Sequence, residues 1–181
     1  MTDNCDVVLE IGCGEPMRKL TGEMAKITRN NKYIGLDKIN YGQSLIADAH
    51  NLPLRENSID FVLCRAVLEH LAQPFMAVDE IYRVLKPGGS CYVTVPFIYR
   101  YHGTKESNDY FRFTDEGVKL LFKDFRLKKL VPQYAAMATI AKLTPLDILP
   151  WFMKTVIFRL IKLLDIQSRN TSLWYAVFKK P

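Results

Sequence analysis

Residues 7–14 read Val-Val-Leu-Glu-Ile-Gly-Cys-Gly, an apolar run that breaks at once into a glycine turn. Val and Ile favour the doubly buried environment of a strand in a parallel sheet. Gly12 and Gly14 let the chain turn tightly and let a ligand contact backbone amides without an intervening Cβ. The segment therefore predicts a buried strand whose carboxyl end meets a ligand. A strand-to-helix turn that needs glycine for its geometry alone is the alternative.

Further apolar segments follow at intervals typical of alternating strands and helices. Asp37 ends the second of them, 23 residues beyond Gly14, where a carboxylate can accept hydrogen bonds from both ribose hydroxyls of a nucleoside. Alternating elements of this kind predict a parallel, doubly wound sheet. The predicted helix covers about 75–85, where Lys-Pro-Gly-Gly follows as a stop signal, and the predicted strands are 7–11, 33–36, 44–47, 59–64, 90–95, 125–131 and 173–178.

Six short motifs occur in a fixed order, at 10–14, 35–37, 48–54, 57–62, 67–71 and 83–89. Over roughly residues 5–97 they resemble the successive motifs of class I S-adenosylmethionine-dependent methyltransferases, and most closely the type 11 methyltransferase group. This resemblance implies a Rossmann-like, doubly wound, seven-stranded α/β sheet that is mostly parallel with an antiparallel last strand. Residues 96–97, 101–103 and 109–114 resemble a subgroup often associated with the biosynthesis of surface polysaccharides and glycans.

The same resemblance implies S-adenosylmethionine as the cofactor and assigns residues to it. Residues 12–14 would hold its amino-acid part through their amides, with Glu10 acting through water or on the ammonium group. Asp37 would bind the ribose and Asp48 the exocyclic amine of adenine, while the residues just past the fourth strand would face the sulfonium and the acceptor. The predicted cofactor-binding residues are Glu10, Gly12, Cys13, Gly14, Asp37, Lys38, Asp48, Ala49, Arg65 and Ala66.

Methyl transfer is an in-line displacement at a positively charged sulfur, so alignment supplies much of the rate and we predict no metal site. An alcohol acceptor must also lose a proton. His102 is the first candidate for the base, because an imidazole exchanges protons near neutral pH, and Asp109 and Tyr110 stand behind it. A loop histidine that orients the chain is the alternative for His102, and a structural role is favoured for His70.

Two other functions compete with this interpretation. Dinucleotide enzymes share the sheet, but their fingerprint requires a third glycine where this chain has Met17, and Glu15 would repel a pyrophosphate. About six residues precede the first strand, whereas relatives usually carry a helix there that helps to close the cofactor site. We therefore expect closure from elsewhere in the chain or from a partner subunit. A non-catalytic, S-adenosylmethionine-binding module is the alternative function.

Charge is distributed unevenly along the chain. Residues 1–96 carry ten Lys and Arg against twelve Asp and Glu, whereas residues 97–181 carry fifteen against seven. A basic distal half predicts either a solvated face or an anionic partner, such as an acidic or lipid-linked acceptor, a membrane surface or nucleic acid. Nucleic acid is the least favoured, because residues 64–67 lack the Asn/Asp-Pro-Pro-aromatic motif of many base-amine methyltransferases. The predicted acceptor is a small molecule or a glycan.

We predict a single domain over residues 1–181 with a helical insertion at about 135–170. The chain shows no signal-peptide pattern and its four cysteines are isolated, which predicts a cytoplasmic protein with reduced thiols. Residues 151–166 combine an apolar stripe with a basic edge of Lys154, Arg159 and Lys162. Charges interrupt the apolar run, so no membrane span is predicted. Packing on the sheet or within a homodimer is favoured over peripheral contact with anionic lipid.

Overall fold

The computed structural model describes residues 6–14, 31–132, 150, 152–153, 155–156 and 171–181. In this part of the chain, the helical elements are a 3-10 turn (Leu68–His70), α1 (Pro74–Val84) and α2 (Asp115–Leu121). The strands are β1 (Val7–Ile11), β2 (Lys32–Asp37), β3 (Leu45–Ile46), β4 (Ile59–Arg65), β5 (Leu85–Pro96), β6 (Arg126–Pro132) and β7 (Leu173–Lys179).

The strands form one seven-stranded sheet in the order β3-β2-β1-β4-β5-β7-β6. Strands β1 to β5 pair in parallel, and β7 runs antiparallel to both β5 and β6. The predicted Rossmann-like sheet with an antiparallel last strand is therefore confirmed. The strand order reverses between β1 and β4, and ligands bind at the carboxyl ends of strands beside such a switch point.

The central strands are buried on both faces, which explains their continuous apolar sequence. Leu9 in β1 and Val62 in β4 are fully buried. Helix α1 begins at Pro74, whose fixed φ suits the first helical turn, and it packs its apolar face onto this core. In the same core, the ring of Phe122 stacks on that of Phe178 with centroids 4.3 Å apart.

The boundary between α1 and β5 differs from the prediction. The helix ends at Val84, and β5 begins at Leu85 instead of residue 90. Gly88 has a φ of +79°, and a Cβ at Gly89 would lie 2.9 Å from the carbonyl oxygen of Lys86. The two glycines therefore lie within the irregular first part of β5, where the pairing of β5 with β4 shifts register. They also follow the end of the helix, as predicted.

Among the described residues, no helix is long and apolar enough to cross a membrane. The predicted helical insertion at about 135–170 lies outside the described residues, apart from positions 150, 152–153 and 155–156. Of these, residues 152–153 and 155–156 are helical.

Candidate active site

A cavity of about 250 Å³ lies at the carboxyl ends of β1, β2, β3 and β4. Its wall includes Gly12 and Gly14 after β1, Asp37 at the end of β2, Asp48 after β3 and Ala66 after β4. This is the position at which the reversal in strand order opens a crevice in a doubly wound sheet. Of the predicted cofactor-binding residues, the wall contains Gly12, Gly14, Asp37, Lys38, Asp48, Ala49 and Ala66.

The glycine turn has the left-handed backbone that its sequence suggests, with φ of +66° at Gly12 and +62° at Gly14. A Cβ at Gly12 would lie 2.3 Å from Cγ2 of Val67, so glycine is also required by packing there. The amides of Gly12 and Cys13 donate to the carbonyl oxygen of Leu36 at 2.8 and 3.2 Å. The turn thus forms part of the cavity wall while these amide hydrogen bonds hold it to β2.

Asp37 joins the glycine turn to the end of β2. Its Oδ2 accepts a hydrogen bond from the amide of Gly14 at 3.0 Å, and its Oδ1 accepts one from the amide of Ile39 at 3.1 Å. A carboxylate has about four lone-pair positions, so capacity remains for hydroxyl donors from the cavity. These two hydrogen bonds therefore orient the carboxylate at the cavity wall.

Asp48 is held by its neighbour His50. Oδ1 of Asp48 accepts from the amide of His50 at 2.9 Å and lies 2.6 Å from its Nδ1. The amide hydrogen bond, together with the imidazole contact, lowers the pKa of Asp48, so this carboxyl group is ionised at neutral pH. An ionised acceptor at this wall suits an exocyclic amine donor.

Glu10 and Arg65, two of the predicted cofactor residues outside the cavity wall, bind each other. Glu10 is 2% exposed, and its Oε1 accepts from Nη2 of Arg65 and from Nε at 3.2 Å. Its Oε2 accepts from the hydroxyl of Tyr33 at 2.7 Å. Burial and this hydrogen bond raise the pKa of Tyr33, which keeps the phenol protonated. The Arg65 guanidinium therefore contacts Glu10 and compensates its buried charge.

Cys13 is the third predicted cofactor residue outside the wall, and it is buried. Burial, together with the charges of Asp37 and Glu10, raises the pKa of its thiol to about 11. The thiol is therefore protonated at neutral pH. A Cβ on Gly35 would lie 3.2 Å from Sγ of Cys13, so this side chain packs against β2.

A second group of polar side chains comes from the connection between β5 and α2, where His102 and Asp109 meet as the catalytic prediction requires. The Asp109 side chain is fully buried and accepts from Nη2 of Arg112 at 2.6 Å and from the amide of His102 at 2.8 Å. Nδ1 of His102 lies 3.1 Å from Oδ2 of Asp109. The Arg112 hydrogen bonds hold the pKa of Asp109 far below its usual range, so a permanent carboxylate faces the imidazole.

Tyr110, the third predicted catalytic residue, is 51% exposed. Its hydroxyl accepts a hydrogen bond from Nδ2 of Asn108 at 2.6 Å. Its backbone amide donates to the carbonyl oxygen of Glu69 at 2.8 Å. In this structure Tyr110 thus fastens the loop to the turn that follows β4.

His70 and Glu69, which sequence reasoning did not place in the site, lie beside His102. His70 is part of the cavity wall, and its ring centroid lies 4.9 Å from that of His102. Oε1 of Glu69 is 3.7 Å from Nε2 of His102. The signal was present in the sequence, because both residues follow β4 directly at the edge of the sheet where the site forms.

A family model described as a methyltransferase domain matches residues 9–93. An uncharacterized methyltransferase of Schizosaccharomyces pombe is 29% identical over 104 residues, which cover 46% of this chain and 37% of that protein. A tRNA (carboxymethyluridine(34)-5-O)-methyltransferase of Arabidopsis thaliana is 38% identical over 101 residues, which cover 49% of this chain and 24% of that protein. The chain thus spans well under half the length of both relatives.

Among solved structures, a SAM dependent methyltransferase from Archaeoglobus fulgidus matches with a TM-score of 0.63 at 19% identity, over 97% of this chain and 86% of that one. At this identity the likeness shows the fold alone. The family match runs from β1 into β5 and therefore includes the strands that build the cavity. Membership of the glycan-associated subgroup stays a prediction. Residues 9–93 thus match the methyltransferase-domain family, and the sheet has the fold of a SAM dependent methyltransferase.

Proposed function

We propose that this chain transfers a methyl group from S-adenosylmethionine to a hydroxyl oxygen of a small-molecule or glycan-type acceptor. The observation that carries the proposal is the juxtaposition of two sites. The wall of the cavity at the strand ends contains most of the residues predicted for the cofactor, and His70 in that wall is in ring contact with His102. A candidate base thus stands beside the candidate cofactor site.

In this proposal the cofactor lies along the carboxyl ends of the strands. Asp37 accepts hydrogen bonds from the ribose hydroxyls, and the exposed Lys38 lies beside it in the cavity wall. Asp48 and Ala49 contact the adenine, since the ionised Asp48 can accept from its exocyclic amine. Residues 12–14 border the amino-acid part. Glu10 and Arg65 are bound to each other outside the cavity wall, so in this proposal they act on the cofactor indirectly.

The acceptor oxygen attacks the methyl carbon in line with the carbon–sulfur bond. A new oxygen–carbon bond forms, the carbon–sulfur bond breaks, and its electron pair stays on sulfur as neutral S-adenosylhomocysteine. His102 takes the hydroxyl proton on Nε2. Its Nδ1 faces the Asp109 carboxylate, an acceptor, so Nδ1 carries the resting proton and Nε2 the lone pair. Asp109 then stabilises the imidazolium that forms.

Calorimetry with S-adenosylhomocysteine tests the cofactor half of the proposal, and a folded chain that does not bind it at millimolar concentration would refute that half. A mass-spectrometric screen of sugars, lipid-linked glycans, carboxylates, amines and RNA then identifies the acceptor. With that acceptor, His102→Ala and Asp109→Asn should each lower turnover about 10²- to 10⁴-fold while cofactor affinity stays nearly unchanged. Tyr110→Phe tests whether the third predicted residue contributes through its hydroxyl.

Lys105→Ala is the matched control for these variants, because Lys105 lies exposed in the same loop as His102. It should leave turnover at the wild-type value. If His102→Ala and Asp109→Asn lose cofactor affinity to the same extent as they lose turnover, both residues have a structural role. Cofactor binding with no methylated product from any acceptor in the screen would favour the non-catalytic binding module.

A further inference from the structure

We infer that Glu69, His70 and His102 bind a divalent transition-metal ion beside the cofactor cavity. Each side chain offers one ligand atom, and the three ligand atoms lie within 4.8 Å of one another. Ligand atoms on one ion at about 2.1 Å from it lie roughly 3–4 Å apart, so small side-chain rotations would complete the set. Two imidazoles and one carboxylate form a ligand set that suits first-row ions and leaves coordination positions open.

Neighbouring acceptors fix both imidazoles in the tautomer that a metal ion requires. Nδ1 of His70 lies 2.5 Å from the carbonyl oxygen of Asn108. Nδ1 of His102 lies 3.1 Å from Oδ2 of Asp109 and 3.2 Å from the carbonyl oxygen of Arg100. Carbonyl and carboxylate oxygens accept, so each Nδ1 carries the proton and each Nε2 presents a lone pair. Metal-binding histidines are oriented by acceptors in this way.

The two chain segments that supply the ligands are also fastened together. The carbonyl oxygen of Glu69 accepts from the amides of Tyr110 and Phe111 at 2.8 and 3.2 Å. These bonds tie the turn that carries Glu69 and His70 to the loop that carries His102. The Glu69 side chain is 1% exposed. Its carboxylate is thus held inside the protein close to the imidazole of His102, and the ligand set is organised in advance.

The position of this cluster gives the ion a role in the proposed reaction, on which this inference rests. His70 belongs to the cavity wall, so the ion would lie where an acceptor approaches the sulfonium. A hydroxyl bound at an open position has its pKa lowered and releases its proton to solvent. The resulting oxygen then attacks the methyl group as the carbon–sulfur bond breaks. Two open positions would suit a vicinal pair of hydroxyls, which points to a sugar-type acceptor.

This role replaces the base function of His102 in the metal-loaded protein, because one Nε2 lone pair cannot both ligate an ion and accept a proton. It also departs from the prediction of no metal site, which rested on the chemistry of methyl transfer. His70 and His102 are 32 positions apart in the sequence, and the connection after β5 brings them together.

Calorimetric titration of Zn²⁺ into the reduced, metal-free full chain tests the site, with metal analysis of the dialysed protein. We expect one ion per chain. Glu69→Gln, His70→Ala and His102→Ala should each weaken binding at least about tenfold. His50→Ala is the matched control, because His50 is the remaining histidine of the chain and contacts Asp48 instead of this cluster. Glu69→Gln keeps the shape of the buried side chain, and circular dichroism checks the fold of each variant.

The inference is overturned if the wild-type chain binds no stoichiometric ion, if His50→Ala loses as much affinity as the cluster variants, or if all three cluster variants bind as the wild type does. That last result would show that the ion binds elsewhere on the chain. S-adenosylhomocysteine binding is measured on the same samples. Cofactor binding without metal binding refutes this inference and leaves the proposed function intact, whereas metal binding without cofactor binding refutes the proposed function.

Discussion

At the scale of single residues, the side chains that border the cavity are held by the protein before they meet a ligand. Asp37 is the clearest case, because its two oxygens accept the amides of Gly14 and Ile39. The same carboxylate therefore fixes the glycine turn and faces the cavity. Binding of a ribose would cost little reorganisation at such a group, since its rotamer is already set.

Replacing Asp37 with Ala should weaken the binding of S-adenosylhomocysteine by about 1–3 kcal/mol, because two ribose hydroxyls lose a charged acceptor in a partly closed site. Calorimetry measures this difference directly. Asp79→Ala is the control, since Asp79 is exposed on α1. If Asp37→Ala binds the ligand as tightly as Asp79→Ala does, the ribose is not held by Asp37.

The two glycines of the turn provide a matched pair of substitutions. Both have positive φ, so alanine at either position costs about 1–2 kcal/mol of folding free energy. At Gly14 nothing lies within 4 Å of the new Cβ, whereas at Gly12 it meets Cγ2 of Val67 at 2.3 Å. Gly12→Ala should therefore lower the free energy of unfolding, measured with urea, more than Gly14→Ala does. Equal losses would show that Val67 moves aside without cost.

At the scale of elements, helix α1 is fastened to the loop at residues 52–54, just beyond the predicted adenine contacts. Oε2 of Glu80 accepts from the amide of Leu52 at 2.7 Å. Arg83 donates from Nη1 to the carbonyl oxygen of Leu54 at 2.8 Å and from Nη2 to that of Leu52 at 2.9 Å. The ion pair between Glu80 and Arg83 thus holds the segment that follows the cavity residues Asp48 and Ala49.

Hydrogen bonding from Arg83 lowers the pKa of Glu80 in the folded protein. The stabilisation is therefore present above the unfolded-state pKa, near 4.3, and is lost as the pH falls through the lower folded-state value. Glu80→Gln should lower the free energy of unfolding at pH 7 by about 1–3 kcal/mol and by less at pH 3. Urea unfolding between these pH values measures both effects.

Glu106→Gln removes the same kind of charge from an exposed loop position and serves as the control. It should change the free energy of unfolding little at either pH. A Glu80→Gln variant whose loss of stability is the same at pH 3 and pH 7 would contradict the assigned ion pair.

At the scale of the whole molecule, the basic distal half offers a surface for a partner or for packing. An amphipathic helix is predicted at residues 151–166 of this half. Among the described positions of that segment, Phe152, Met153 and Val156 are 56%, 41% and 55% exposed. These side chains leave apolar surface available to a second subunit or to a lipid surface. We expect packing, in agreement with the sequence-based preference.

Vesicle flotation with anionic lipid should accordingly show no association at any salt concentration. The Leu160→Asp variant should have a lower free energy of unfolding in urea, or should split a dimer that light scattering detects. Flotation that disappears as salt rises would instead reveal an interfacial helix, because screening weakens the attraction between basic side chains and anionic headgroups. Replacing Lys154, Arg159 and Lys162 with Glu would then abolish that binding without unfolding the domain.

Local patterns in the sequence predicted the sheet and the place of the cavity at the strand ends. Strand periodicity and glycine turns are local signals, and parallel strands bring their carboxyl ends to one edge, so Gly12, Asp37 and Asp48 could be assigned to one wall from the order of their motifs. The boundary at Leu85 was missed, because glycines that stop a helix look the same as glycines that begin an irregular strand.

Two contacts between polar side chains became apparent only in the folded chain. Arg65 binds Glu10 across the neighbouring strands β4 and β1, and this pairing follows from strand register and burial, neither of which the spacing of the two residues reveals. Glu69 and His70 meet His102 because the long connection after β5 returns to the turn after β4, where backbone hydrogen bonds fix it. A loop path of this kind depends on contacts between distant segments, so local sequence patterns do not encode it.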